Sequence, residues 1–134
     1  MSFHYLLDTN ICIYIAKARP TSVLCRFESL ATGTVGMSVI TYGELCVGAQ
    51  KSQHQEIALA KLNELADYIP VLMPDETVGV SYGKIRFLLE RAGTPIGNND
   101  LWIAAHALSL GLTLVTNNDR EFKRIPELRT ENWV

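Results

Sequence analysis

Four acidic residues stand where regular elements of the chain begin or end. They are Asp8, Glu44, Asp100 and Asp119. Carboxylates held a few ångströms apart repel one another by about 1–4 kcal/mol per pair at the effective dielectric of a surface cleft, so a cluster of them usually binds a cation. Oxygen-only ligation selects a hard ion such as Mg²⁺ or Mn²⁺, which keeps positions open for phosphate oxygens and an attacking water. Together, these residues would support metal-dependent hydrolysis of a phosphate ester.

Each acid also has a purely structural explanation. Asp8, in "LLDTN", is a good helix N-cap, and "TYGE" is a capping box in which Glu44 reaches back to Thr41 as the N-cap. Asp100 in a first helical turn complements the helix dipole, and Asp119 in "TNND" suits a turn. Capping accounts for each residue singly, whereas four acids at one edge of a fold would call for a further reason.

Strand-like runs alternate with helical patterns along the chain. The strand-like runs are "FHYLLD", "TVGMSVIT", "YIPVLM", "LTLVT" and, more weakly, "RTENWV". Helical spacing of apolar residues occurs in "HQEIALAKLNELADY", from Val78 to Leu89, and in "NDLWIAAHALSLG", which ends at Gly111. The alternation predicts an α/β fold with a central, mostly parallel sheet flanked by helices, in a single domain over residues 1–134. At the carboxyl edge of such a sheet the four acids would meet.

The composition is that of one globular domain with its own core, since 48% of the 134 residues are hydrophobic. The most apolar stretch, "LWIAAHALSLGLTLV", is interrupted by polar residues and does not predict a membrane span. The chain does not start with a basic and then apolar leader, so a cytoplasmic protein without a membrane partner is expected.

Cysteine and histidine do not suggest a metal site of their own. The cysteines are Cys12, Cys25 and Cys46, and the histidines are His4, His54 and His106. The cysteines are odd in number and never spaced as C-x-x-C, so neither a disulfide framework nor a thiolate zinc site is indicated. The histidines are scattered, and structural or surface roles are expected for them.

The formal net charge of −2 argues against a protein that coats nucleic acid without specificity. Without the four acids, however, the remainder of the chain would carry +2. Its basic residues recur in three local groups: Lys17, Arg19 and Arg26; Lys84, Arg86 and Arg91; and Arg120, Lys123, Arg124 and Arg129. Taken singly, each group has the character of a solvated face.

Other hydrolytic and phosphate-binding motifs do not occur. The serines do not stand in G-x-S-x-G, and "GTPIGNND" lacks the G-K-[ST] ending of a P-loop. "DTN" lacks the second aspartate, two positions on, of an aspartyl-phosphate phosphatase. The acids therefore remain the best candidates for chemistry.

Four blocks of the sequence resemble, in order and spacing, the PIN-domain ribonucleases, and most closely the VapC-like toxins of bacterial toxin–antitoxin pairs. The blocks are "LLDTN", "SVITYGEL", "PIGNNDLWIAAHAL" and "LTLVTNNDREFKRI", and they cover nearly the whole chain. The resemblance implies that residues 1–134 form a PIN domain and act as a Mg²⁺- or Mn²⁺-dependent endoribonuclease. It also implies a cognate antitoxin, a homodimer, a toxin–antitoxin hetero-oligomer and an RNA substrate. Because several related enteric toxins cut initiator tRNA, its anticodon loop is the first expectation for the substrate.

The family's metal-binding carboxylates map onto three of the acids. They correspond to Asp8, Glu44 and Asp100 in the first three blocks. The last block usually reads T-x-D, but here Asn118 takes the place of the acid and Asp119 comes one residue later. The fourth ligand thus stays open between Asp119, Glu121 and a water-filled position.

The resemblance also suggests residues that would hold the ligands or metal-bound water in place. These are Asn10, Thr116 and Asn118, with a turn role as the alternative for the first two. A guanidinium pairs well with carboxylates, so the antitoxin is expected to present an arginine to the acids. The alternative function is a non-catalytic PIN-like module that binds RNA or protein, in which the acids serve only as caps.

Overall fold

The computed structural model describes residues 2–134, and a five-stranded parallel sheet lies at its centre. The strands are β1 (Tyr5–Leu7), β2 (Val35–Ser38), β3 (Val71–Leu72), β4 (Thr113–Val115) and β5 (Thr130–Glu131). The helices are α1 (Thr9–Lys17), α2 (Thr21–Glu28), α3 (Val39–Gln50), α4 (Gln55–Tyr68), α5 (Glu76–Arg91), α6 (Asn98–Leu110) and α7 (Asp119–Phe122). The predicted α/β fold with a parallel sheet flanked by helices is confirmed.

The strand order is β3-β2-β1-β4-β5, so β1 lies in the middle of the sheet. Leu7 pairs with Met37 of β2 on one side and with Val115 of β4 on the other. The residues that follow these three are Asp8, Ser38 and Thr116, and they lie side by side at the carboxyl edge. This register brings the ends of three distant sequence segments together.

The core has two layers because successive strand residues point to opposite faces of the sheet. Leu6 and Leu114 pack with α5 and α6 on one face. Leu7 and Val115 pack with α1 and α4 on the other. Both faces are therefore covered, which explains why these strands are apolar throughout rather than alternating.

The predicted capping box at "TYGE" is wrong. Ser38, three residues earlier, is the N-cap of α3, and its hydroxyl accepts a hydrogen bond from the backbone N–H of Ile40 at 3.2 Å. Thr41 is consequently buried inside the first turn, and Glu44 lies in the second turn instead of opening the helix. Strand β2 ends at Ser38, whose hydroxyl caps the helix that follows.

Two other boundaries differ from the sequence predictions. The run "YIPVLM" supplies only Val71–Leu72 as β3, because α4 continues to Tyr68 and Pro70 has no N–H for the sheet. Asp119 is the first residue of the short helix α7, not a turn residue. The helix before Gly111 ends as predicted, with this glycine at φ 69°, in the left-handed region.

Residues 2–134 do not contain a helix that is both long enough and apolar enough to cross a bilayer.

A buried histidine connects α6 to the junction between β2 and α3. His106 Nδ1 lies 2.9 Å from Ser38 Oγ, and both side chains are almost fully buried. Burial lowers the pKa of His106, which favours the neutral ring. Its Nε2 is without a hydrogen-bond partner among residues 2–134, so Ser38 is the only hydrogen-bond partner of the ring there.

Ser38→Ala is expected to lower the free energy of unfolding by roughly 2–4 kcal/mol. The substitution removes the cap of α3 and leaves both ring nitrogens of His106 buried without a partner. Urea denaturation measures the change. Ser52→Ala is the matched control, because Ser52 Oγ also accepts a hydrogen bond from the backbone N–H two residues on, that of His54 at 3.0 Å, but at an exposed position. Equal losses in the two variants would show that the histidine contact does not stabilise the fold.

Candidate active site

Asp8 lies at the centre of the carboxyl edge, between β1 and α1. It is the N-cap of α1, and its Oδ1 accepts a hydrogen bond from the backbone N–H of Ile11 at 3.0 Å. The residue is only 6% exposed. Burial raises the pKa of Asp8, with a smaller contribution from the charge of Glu44, while hydrogen bonds from the Thr116 hydroxyl and Ile11 favour the ionised form. The capping explanation of Asp8 is thus correct, and Asp8 also lies within the field of a second acid.

Glu44 projects from the second turn of α3 and is held by a threonine on α1. Thr9 Oγ1 donates to Glu44 Oε1 at 2.6 Å, and the same hydroxyl lies 3.5 Å from Thr41 Oγ1. Thr9 directly follows Asp8, so of these two adjacent residues one is an acid of the site and the other orients Glu44. The sequence indicates Thr9 only as a possible helix cap and not as a partner of Glu44. Its one sequence signal is its position as the middle residue of "DTN".

Asp100 is the third residue of α6, whose N-cap, Gly97, has no side chain to cap the helix. The pKa of Asp100 is raised to about 6, first by burial and then by the charges of Glu121, Asp8 and Glu44. Three carboxylates from three other segments of the chain therefore act electrostatically on Asp100. Carboxylates so arranged favour either protonation or a bound cation.

The last block places Glu121, not Asp119, among the acids that act on Asp100. Asn118 Nδ2 donates to Glu121 Oε2 at 3.0 Å and holds this side chain in place. Asp119 Oδ2 instead accepts from Asn132 Nδ2 at 3.4 Å. Because residues two apart on a helix point to nearly opposite sides, α7 directs the two acids to different neighbours. Asp119 is thus the one acid of the original four that is not in this set.

The residues predicted to support the site differ in their contacts. Thr116 is fully buried, its hydroxyl bonds to Asp8, and its Oγ1 accepts from the backbone N–H of Asn118 at 2.9 Å. Thr116 therefore links the end of β4 to Asp8 and to the segment that carries Glu121. Asn10 is exposed and contributes through its backbone N–H, which favours the ionised form of Asp8.

The donor chemistry of this edge fits a hard divalent cation. The charges that act on Asp8 and Asp100 all come from carboxylates, and these carboxylates contribute to the raised pKa values of both residues. As the side chains are placed, residues 2–134 contain no three acidic, histidine or cysteine side chains close enough to chelate an ion. Repulsion between the carboxylates opposes their closer approach. A hydrogen bond from Thr9 holds Glu44 in place, and one from Asn118 holds Glu121.

Comparison with known proteins gives matches over nearly the full length of the chain. The sequence model of the PIN domain matches residues 5–128. Ribonuclease VapC1 of Haemophilus influenzae strain R2866 is 45% identical over 131 residues, covering 97% of this chain and 98% of the relative. The tRNA(fMet)-specific endonuclease VapC of Shigella flexneri is 46% identical over 129 residues, covering 96% and 97%.

Solved structures match equally well. The crystal structure of DNA-bound VapBC from Salmonella typhimurium superposes with a TM-score of 0.92 at 43% identity, covering 98% of this chain and 99% of that one. The fold, the order of the sequence blocks and the close relatives agree with one another. The chain belongs to the PIN-domain family, and within that family to the VapC ribonucleases.

Proposed function

We propose that this protein is a divalent-metal-dependent endoribonuclease that acts as the toxin of a toxin–antitoxin pair in the cytoplasm. The observation that carries the proposal is that the charges of Asp8, Glu44 and Glu121 all act on the carboxyl group of Asp100 at this edge of the sheet and raise its pKa. Repulsion between like charges destabilises the fold, and acids that served only as helix caps would not need to lie near one another. The relatives named as ribonucleases, at 45% identity over nearly their whole length, support hydrolysis of RNA as the reaction.

These four residues would hold Mg²⁺ or Mn²⁺. When bound, such an ion lowers the pKa of water and neutralises charge that develops on the phosphate. The contribution of the chain is to fix the carboxylates before the ion arrives. The Ile11 N–H and the Thr116 hydroxyl orient Asp8, the Thr9 hydroxyl orients Glu44, and Asn118 orients Glu121. Partners of this kind typically change metal affinity 10–100-fold when they are removed.

The substrate that we propose is tRNA, with the anticodon loop of initiator tRNA first. Two relatives, from Shigella flexneri and Salmonella typhimurium, are named tRNA(fMet)-specific endonucleases and are 46% and 44% identical to this chain. A loop target suits a chain of net charge −2, because unpaired bases are recognised by stacking and edge contacts as well as through phosphates.

An antitoxin would inhibit the enzyme by covering the same edge. An apolar groove of about 690 Å³ lies between α1, α2 and α4, and Ile15, Phe27 and Leu65 are among its lining residues. Asp8 caps the opposite end of α1, roughly 13 Å away along nine residues. A short antitoxin segment in the groove could therefore extend along α1 and present an arginine to the carboxylates.

Asp8→Asn is expected to abolish cleavage of initiator tRNA while the protein stays folded. Asparagine caps a helix about as well as aspartate, so the substitution removes charge but keeps the cap. The loss of activity should exceed the 10–100-fold that is typical when a residue that only hydrogen-bonds to a metal ligand is removed. The Mn²⁺-induced rise in melting temperature, which reports metal binding to the folded state, should also disappear.

Cleavage is followed by gel electrophoresis, and ligation tests whether the products carry 5′-phosphates, which form when water attacks the phosphorus and the 3′-oxygen leaves. Asp75→Asn is the control, since Asp75 also caps a helix but is not among the charges that act on Asp8 or Asp100. An Asp8→Asn variant that cleaves RNA and keeps its Mn²⁺ response would favour the non-catalytic PIN-like module instead.

Asp100→Asn is expected to stabilise the metal-free protein at pH 7. The pKa of Asp100 is about 6 in the folded state and 3.8 ordinarily, so the folded protein holds this proton more tightly than the unfolded chain. Ionisation of Asp100 therefore costs stability as the pH rises from about 4 to about 6. The gain from the substitution should be complete above that window and absent below it.

Urea denaturation in EDTA between pH 4 and pH 8 measures this gain. The matched control is Glu76→Gln, because Glu76 is also an acid in a first helical turn, that of α5. If Asp100 served only the helix dipole, both substitutions would weaken the fold slightly. Stabilisation by Asp100→Asn together with loss of cleavage is the expected result.

Glu121→Gln is expected to raise the Mn²⁺ concentration needed for half-maximal cleavage by about tenfold, whereas Asp119→Asn should leave it nearly unchanged. The reason is that Glu121 acts on Asp100, while Asp119 contacts Asn132. Metal titrations of the cleavage rate compare the two variants under the same conditions. The reverse order of effects would assign the fourth carboxylate to Asp119.

A further inference from the structure

Two of the three basic groups of the chain have members paired with carboxylates. Arg26 lies 3.8 Å from Glu131, and Arg86 lies 3.0 Å from Glu90. In the third group, Arg129 donates to the carbonyl oxygen of Gly111, and the other three members lie on and directly after α7. Within residues 2–134, none of Arg120, Lys123 and Arg124 has a carboxylate within ion-pair distance. These three residues are all exposed, and we call them the α7 cations.

The α7 cations share one side of a helical turn. Their spacing of three and four residues places them next to one another, while Phe122 and Ile125 anchor the segment in the core. Backbone hydrogen bonds from Lys123 to Asp119 and from Arg124 to Glu121 continue the turn beyond α7. The exposed cations are therefore carried by a segment whose apolar side chains are buried and whose backbone is hydrogen-bonded.

This segment also adjoins the candidate active site. Glu121, between Arg120 and Lys123 in the chain, is the acid with the largest charge effect on Asp100. Arg124 Nη1 donates to the carbonyl oxygen of Pro95 at 3.1 Å, in the loop that leads into α6 and Asp100. The α7 cations thus border the acids on the side of α7, and most of the guanidinium donors of Arg124 remain available.

We propose that the α7 cations bind backbone phosphates of the RNA next to the scissile bond. The proposal rests on the proposed ribonuclease function and adds the surface by which the polyanion is held. A chain of net charge −2 with an acidic centre repels RNA unless cations stand close to that centre. Exposed arginine and lysine without acidic partners are suited to phosphate oxygens, arginine as a bidentate donor.

The test measures RNA affinity against salt for Arg120→Gln/Lys123→Gln. The matched control is Lys84→Gln/Arg91→Gln, which removes two exposed cations from α5 instead. The probe is a fluorescein-labelled hairpin of the initiator tRNA anticodon stem and loop, titrated in EDTA to prevent cleavage. The α7 variant should bind about tenfold more weakly at 0.1 M salt, and the slope of log K against log salt should fall by about 1.4.

Cleavage by the same variants is measured with Mn²⁺ present. The α7 variant should show a raised KM and an unchanged kcat, and the control should match the wild type in both measurements. If the wild type cleaves the RNA and the α7 variant keeps the wild-type salt slope, the α7 cations do not bind the RNA phosphates, and the ribonuclease function stands. If the wild type neither binds nor cleaves the RNA, both proposals fail.

Discussion

Repulsion among Asp8, Glu44, Asp100 and Glu121 is the constraint on which the rest of this edge depends. It contributes to a raised pKa at Asp8 and to a pKa of about 6 at Asp100. Like charges at a partly buried edge would separate if their side chains were free. Hydrogen-bond donors oppose this at three of them: the Ile11 N–H and Thr116 hydroxyl at Asp8, the Thr9 hydroxyl at Glu44 and the Asn118 amide at Glu121. The arrangement costs stability, as is typical of sites kept for binding or chemistry.

The parallel sheet makes such an arrangement possible for segments far apart in sequence. With β1 in the middle, Asp8 has the end of β2 on one side and the end of β4 on the other. The helix after β2 then supplies Glu44, and the segment after β4 supplies Glu121. The amino end of α6 adds Asp100, where the helix dipole partly offsets the negative charge.

The sequence predicted those features that depend on strong periodicity. The parallel sheet, α5, α6 and the end of α6 at Gly111 all follow from apolar spacing and glycine. The start of α3 was mispredicted because Ser38 and Thr41 are both capable N-caps, and tertiary packing buries the second. The orientations of Asp119 and Glu121 depend on where α7 begins, and a four-residue helix has too little periodicity to indicate it. The contact of Thr9 with Glu44 joins residues 35 positions apart, which local pattern does not reveal.

The structural and chemical roles of Asp8 depend on each other. An exposed carboxylate rotates freely, and ordering it costs conformational entropy when a ligand binds. As the N-cap of α1, Asp8 has already lost that freedom, because Oδ1 is fixed by the Ile11 N–H. Glu44 has a longer side chain and no capping role, so it needs a separate donor, which Thr9 provides from the first position of the same helix. Capping of α1 therefore orients one acid directly and a second through its neighbour, so the explanation of Asp8 as a cap supports its assignment to a metal site.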